Sequence, residues 1–277
     1  MTTTSLPFAP IDEEEVPSGL SKVPALGAMF WFIKVLTTGT GEAASDFFGS
    51  VSIPLAGIIG LGGFCAALWL QGRTKRYVPY VYWFAVAMVA LFGTMAADAV
   101  HLIGLPYALS TSAYAVALGG IFFFWHRSEG TLSIHSITNR RREVFYWLTV
   151  LATFALGTAA GDLTADEMHL GFFVSAVIFA VAITLPALAY WRLGLNEVVA
   201  FWSAYIITRP LGASIADWLG KPPRRSGIGL GDGIVTLIGA VLIVACVSYI
   251  TRGWSARNAG SYQPARSTQN SAAYSAE

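Results

Sequence analysis

Charge is what this sequence has least of. Only 12% of its 277 residues are Asp, Glu, Lys or Arg, against about 25% in water-soluble chains. Hydrophobic side chains make up 55%, and the mean hydropathy is +0.59. Disorder is excluded by that composition. A nucleic-acid partner is excluded by a net charge of +1 with no broad basic face. Cysteine is scarce too. Cys65 and Cys246 lie in separate apolar runs, which excludes a disulfide scaffold and reads as two buried small hydrophobes. No regular alternation of polar and apolar residues is present, so an outer-membrane barrel is not expected. Residues 1–20 hold Asp12-Glu13-Glu14-Glu15 rather than a basic region followed by an apolar core, and no cleavable signal peptide is expected. Neither a Ser/His/Asp nor a Cys/His set occurs, nor an HExxH motif, so the chain is not expected to be an enzyme.

What is present is long apolar runs. Near 26–47, 51–70, 79–99, 107–125, 144–163, 169–191, 198–218 and 231–250, stretches of about 20 residues are predominantly apolar, the length a helix needs to cross a bilayer. The expected fold is all-α: a polytopic membrane protein of eight transmembrane helices. Residues 21–252 form its membrane domain, between disordered cytoplasmic tails at 1–20 and 253–277. The connection at about 126–143 contains Thr131 to Ile137, which reads as a short extended piece. Counting basic residues between spans places twelve on one side and Lys221, Arg224 and Arg225 on the other. By the positive-inside rule both termini are cytoplasmic.

A spacing recurs four times. Phe30-Trp31 is followed by Gly41 and Asp46, Tyr82-Trp83 by Gly93 and Asp98, Tyr146-Trp147 by Gly157 and Asp162, and Phe201-Trp202 by Gly212 and Asp217. The pattern is aromatic-Trp-x9-Gly-x4-Asp, always in an odd-numbered span. It divides the domain into four parallel two-helix repeats, about 21–76, 77–127, 144–192 and 198–252. Fifteen residues of helix rise about 22 Å. With Trp31, Trp83, Trp147 and Trp202 as anchors at the cytoplasmic interface, the four aspartates lie at one depth in the outer third. Gly41, Gly93, Gly157 and Gly212, each with a small residue four positions on, fit close helix packing.

Ionisable residues inside a membrane are costly and mark function. Here they are Glu42, Asp46, Asp98, Asp162 and Asp217, with Lys34 and Arg209 as counter-ions. Even if both bases pair inward, three acids remain to be protonated, solvated or bound to a cation. Burial and the negative helix end both disfavour the ionised form, which makes proton exchange for a cation the expected chemistry. Glu42 lies one turn before Asp46, and its equivalents are Thr94, Thr158 and Ala213. Such an oxygen-rich set suits Mn2+, Mg2+ or Ca2+ better than a soft ion. His101 and His169 are further candidate ligands on the outer side. Bland readings stand beside these. The aspartates could cap the following helices, Lys34 could snorkel to the interface, and Arg209 could form a fixed structural ion pair. Pro210 is expected to kink its helix. Gly227 to Gly233, rich in glycine but with no strand before it, reads as a flexible outer loop, with Asp232 able to cap the last helix.

With Lys22-Val23-Pro24, Phe30-Trp31 to Asp46, Thr131 to Asp162 and Arg209-Pro210-Leu211-Gly212-Ala213 to Pro222 in view, the chain resembles a bacterial family of uncharacterised membrane-anchored proteins. That family has four tandem two-helix repeats of unknown function, each with a characteristic tryptophan. The likeness covers about residues 21–252. It implies an inner-membrane location and eight helices, and carries no substrate with it.

The expected function is transport of a cation, a divalent metal such as Mn2+, in exchange for protons at the repeated carboxylates, with export as the expected direction. Its partners would be the lipid bilayer, the cation and protons, with no tightly bound cofactor. The alternatives are a non-transporting membrane scaffold whose aspartates only cap and tie helices, and an exporter of cationic organic compounds along an aromatic path. Oligomeric state is left open.

Overall fold

A computed structural model describes residues 21–260; the tail expected at 1–20, and the tail expected at 253–277 from residue 261 onward, lie outside the described residues. The chain is all-helical. Its helices are α1 (Ala28–Val51), α2 (Ile53–Arg73), α3 (Pro79–Leu102), α4 (Tyr107–Glu129), α5 (Arg140–Asp162), α6 (Gly171–Ala182), α7 (Thr184–Leu193), α8 (Glu197–Gly220) and α9 (Asp232–Gly260). Local sequence sets many of their ends. Ser52, Asn139 and Asn196 accept hydrogen bonds from the backbone N–H groups that open α2, α5 and α8. Pro79 opens α3, where a missing N–H costs nothing. Gly130 and Gly194 end α4 and α7 in the left-handed conformation that favours glycine.

Several local expectations are corrected. The sixth expected span is two helices. Pro186 withholds an N–H from the carbonyl of Ala182 and crowds it, and the helix breaks between Ala182 and Thr184. Helix α8, by contrast, runs through Pro210 as one element. Thr131 to Ile137 is not extended; it contains a single turn of 3₁₀ helix, Ile134–Ser136, with Ile134 and Ile137 buried against the bundle. A π-helical turn, Leu163–Glu167, extends α5. Helix α9 continues to Gly260, past the boundary expected at residue 252. Cys65 is exposed and Cys246 half-buried. An apolar side chain on an outward helix face needs no burial when lipid covers it.

Among the described residues, seven helical segments are long and apolar enough to cross a membrane, counting α5 with its π turn as one and α6 with α7 as one. Helix α1, of similar length, carries Lys34, Glu42 and Asp46 and is not among them. The distribution of polarity is that of a membrane protein. Ile58, Val116, Trp191 and Leu193 are each more than 70% exposed, whereas Lys34, Thr38, Glu42, Thr94, Thr158 and Arg209 are buried. Such a surface would be a liability in water and is the expected one in hydrocarbon.

Four helices form the centre. Helix α1 packs on α3, α3 on α5, α5 on α8, and α8 back on α1, closing a ring. The others surround it with one rule: α2 packs mainly on α3, α4 on α5, α6 and α7 on α8, and α9 on α1. The second helix of each repeat thus leans on the first helix of the next repeat, and the last leans on the first. No repeat buries its own apolar faces alone, which is why the units come as a closed set.

Candidate functional site

The aromatic-Trp pairs build one end of the ring. Phe30 meets Trp83 (5.7 Å between ring centroids), Tyr82 meets Trp147 (5.9 Å), Tyr146 meets Trp202 (6.2 Å) and Phe201 meets Trp31 (5.7 Å). In each case the first aromatic of one repeat touches the tryptophan of the next, and the collar closes on itself. The Tyr82 and Tyr146 hydroxyls are 2.6 Å apart. Rather than facing outward as interface anchors, Trp83, Trp147 and Trp202 are buried in this collar, while Trp31 is half-buried. The connection after α4 laps over it, since Trp202 Nε1 donates to the Leu132 carbonyl (3.0 Å). The chain before α1 is pinned nearby, where Lys22 pairs with buried Glu143 at 2.7 Å and its N–H donates to the Ile137 carbonyl.

The repeat glycines set how closely the ring helices approach. A Cβ at Gly41 would stand 2.5 Å from Ala90 Cβ, and one at Gly93 would stand 2.7 Å from Phe154 Cβ. At Gly157 it would overlap Arg209, and at Gly212 it would overlap Thr38. Ala90, Phe154, Arg209 and Thr38 all lie seven residues after their own tryptophan. Each glycine therefore takes the same neighbour from the next repeat, around the full circle, as small-residue helix packing requires.

With the register fixed in this way, equivalent positions form layers. Away from the collar come Lys34, Val86, Val150 and Tyr205; then Thr38, Ala90, Phe154 and Arg209; then Glu42, Thr94, Thr158 and Ala213. None of these twelve is more than 4% exposed. The next layer is Asp46, Asp98, Asp162 and Asp217. There the bundle opens: Asp46, Asp98 and Asp162 are half-buried and Asp217 is buried.

Arg209 holds the third layer together. Its Nη2 donates to Glu42 Oε2 (2.5 Å) and to the hydroxyls of Thr94 and Thr158, and its Nη1 donates to the Thr38 carbonyl (3.4 Å). Those three side chains are the matching residues of repeats one to three. The fourth is Ala213, whose small side chain leaves the space that Arg209, four residues earlier on the same helix, fills. Lys34, the other expected counter-ion, faces no carboxylate among the described residues. Its ammonium lies over the rings of Phe154 (4.3 Å) and Tyr205 (4.1 Å).

The aspartate layer is under-neutralised. Lys221 Nζ lies 2.6 Å from Asp46, 3.4 Å from Asp232 and 3.9 Å from Asp217. Ser45 Oγ donates to Asp98 (3.4 Å), and Asp162 has no hydrogen bond to its side chain among the described residues. No backbone N–H among the described residues donates to any of the four carboxylates; the cap of α2 is Ser52. One oxygen each from Glu42, Asp46 and Asp217 lie within 4.8 Å of one another, a spacing that a single hard cation with bonds of about 2.0–2.6 Å spans. With Asp232, six carboxylates lie in or beside this layer; among the described residues Arg209 and Lys221 pair with them directly, and Arg225 pairs nearby with Asp166. Burial pulls the Lys221 amine down, but the carboxylates of Asp46, Asp217 and Asp232 outweigh it and hold the ammonium above its usual range.

Of the candidate ligands, the structure thus brings Glu42, Asp46 and Asp217 together and sets Asp98 and Asp162 elsewhere in the same layer. His101 is engaged locally: Nδ1 meets the Leu105 carbonyl (3.1 Å), Nε2 meets Ser110 Oγ (3.4 Å), and the Tyr107 ring lies against it at a tilt of 37°. His169 is exposed, with a φ of 55° in the turn before α6. Lys221 was legible only as an outer basic residue, and Asp232 only as a helix cap. No spacing in the sequence joins them to Asp46, because the contact depends on how the chain returns between α8 and α9.

The family described as Repeat of Unknown Function (DUF347) matches residues 81–131, 145–195 and 200–253, more than half of the chain. The first repeat lies outside those matches, yet Phe30, Trp31, Thr38, Gly41 and Glu42 fill the same four-way contacts as their equivalents. No curated protein and no solved structure matches the chain. On the family match and the repeated contacts together, the chain belongs to the DUF347 repeat family.

Proposed function

We propose that this protein is a cation carrier of the bacterial inner membrane. Eight spans are arranged as four parallel two-helix units, with both termini and the aromatic collar on the cytoplasmic side. The substrate class is a hard divalent cation such as Mn2+, taken up at Glu42, Asp46 and Asp217 and exchanged against protons. Asp98 and Asp162 extend the acidic layer. The observation that carries this reading is the clustering of carboxylates at the open end of a ring where, among the described residues, Arg209 and Lys221 are the only bases paired with Glu42, Asp46, Asp98, Asp162 or Asp217. Carboxylates held in that setting must be neutralised by something mobile.

The scaffold reading draws support from Arg209, which ties all three other repeats to α8. It accounts for that layer but not for Asp98 and Asp162, which receive no backbone cap. An organic cation would need a wide axial hollow, and the first three layers are filled by packed side chains.

The test is a thermal-shift screen of purified protein with Mn2+, Mg2+, Ca2+, Zn2+ and Na+ at two pH values, followed by flux into proteoliposomes. Wild type is expected to be stabilised by a divalent cation and to move it. Asp46→Asn and Asp217→Asn are expected to lose both while remaining folded in the membrane. Wild-type flux in those variants, or stabilisation by no cation at all, would overturn the carrier.

A further inference from the structure

We propose that Lys221 is a tethered competitor: its ammonium occupies an outer cation site formed by Asp46, Asp217 and Asp232, and a substrate cation enters by displacing it. The inference rests on the carrier reading and assigns to its acidic layer a fourth ligand, Asp232, and a resident occupant.

The site is assembled by a chain reversal. Beyond α8 the chain turns back along that helix's end. The N–H groups of Ile228, Leu230 and Gly231 donate to the carbonyls of Trp218, Leu219 and Gly220, at 2.6, 2.9 and 3.1 Å. These bonds satisfy carbonyls that a helix end otherwise leaves open. Gly229 and Gly231 have φ values of 90° and 88°, which residues with a Cβ rarely adopt. The stretch expected to be a flexible loop is therefore a bonded return. It delivers Asp232, the first residue of α9, against Gly220, where any Cβ would overlap the carboxylate. Lys221 is left between Asp232 and Asp46, with its N–H bonded to the Asp217 carbonyl.

Two observations show that the cage is not completed by the lysine. Among the described residues nothing donates a hydrogen bond to the Asp217 side chain, which is 7% exposed, and the Lys221 ammonium lies 3.9 Å from it. Asp232 Oδ1, which lies against Gly220, is buried and has no hydrogen-bond partner among the described residues. One ammonium makes a single short bond to Asp46 and leaves two further carboxylates poorly satisfied, whereas a divalent ion takes six to eight oxygens. Asp46 and Asp217 also belong to the deeper trio with Glu42. A cation that replaces the ammonium is thereby handed from outer to inner ligands. Lys221 is the C-cap residue of α8, so its side chain can turn out of the site without moving a ring helix.

The experiment measures displacement directly. Wild-type protein is treated with an amine-acetylating reagent with and without Mn2+, and Lys221 modification is followed by peptide mass spectrometry. Mn2+ is expected to speed acetylation of Lys221 in wild type and to have no effect on it in Asp217→Asn. In parallel, Lys221→Met is expected to bind Mn2+ about tenfold more tightly than wild type, if the ammonium fills the site about nine-tenths of the time. Should Mn2+ raise the melting temperature of wild type while Lys221 acetylation stays unchanged or slows, the tethered competitor is wrong and the carrier stands. Stabilisation of neither wild type nor Lys221→Met by any cation would sink both.

Discussion

Removing the guanidinium of Arg209 tests whether the third layer holds the bundle closed. Its side chain is 1% exposed and that of Glu42 5%. In Arg209→Met, the Glu42 carboxylate keeps one protein donor, the Thr94 hydroxyl at 3.3 Å. Breaking one partner of a buried pair costs about 3–5 kcal/mol, because a charge is left uncompensated out of water. Glu42→Gln strands the cation instead, but Thr94, Thr158 and the Thr38 carbonyl still surround it, so the cost should fall at the lower end of that range. The double variant, Arg209→Met with Glu42→Gln, buries no charge at this level and should recover much of the loss, with a coupling of about 0.5–3 kcal/mol. The assay is reversible unfolding in mixed micelles, followed by tryptophan fluorescence, since three collar tryptophans are buried. If the double variant loses the sum of the two single losses, with coupling below about 0.5 kcal/mol, the pair is not what ties the repeats together.

The remaining predictions concern packing and pH. Gly212→Ala should destabilise by about 1–3 kcal/mol, because its methyl meets Thr38 and the Gly39 backbone. Gly57→Ala, with nothing within 4 Å, should be neutral or stabilising by up to about 1 kcal/mol; equal losses in melting experiments would refute the close-approach argument. For Lys221 the folded ammonium is held above its usual range. Its contribution is therefore fully present below the unfolded value of about 10.4 and is lost as pH rises through the folded one. Lys221→Met should flatten the alkaline fall of stability above pH ~10; an alkaline limb identical to wild type would contradict the geometry.

Much of the site was legible because it repeats. The interval from Trp to Gly to Asp, met four times, placed Asp46, Asp98, Asp162 and Asp217 in one layer and Gly41, Gly93, Gly157 and Gly212 at the helix contacts. Periodicity also marked Glu42, Thr94, Thr158 and Ala213 as equivalents. The collar was misplaced because interfacial preference and core packing use the same residues, and a tryptophan beside another aromatic signals neither uniquely. Lys34 was paired with acids on charge alone, whereas its helical position sets it beside Phe154 and Tyr205, one layer short of Arg209.

Composition and spacing by themselves determined an all-helical chain with a hydrocarbon-matched surface, four units, and acids recurring at one register of the repeat, because those properties follow from period and transfer energy along a single helix. Only the tertiary structure decided which cation meets which acid. Closure of the ring sets the third repeat's Gly157 against Arg209 and turns that side chain toward Glu42. The chain's return after α8 brings Lys221 and Asp232 to Asp46. Both outcomes depend on distances between segments far apart in the chain, and no local pattern encodes them.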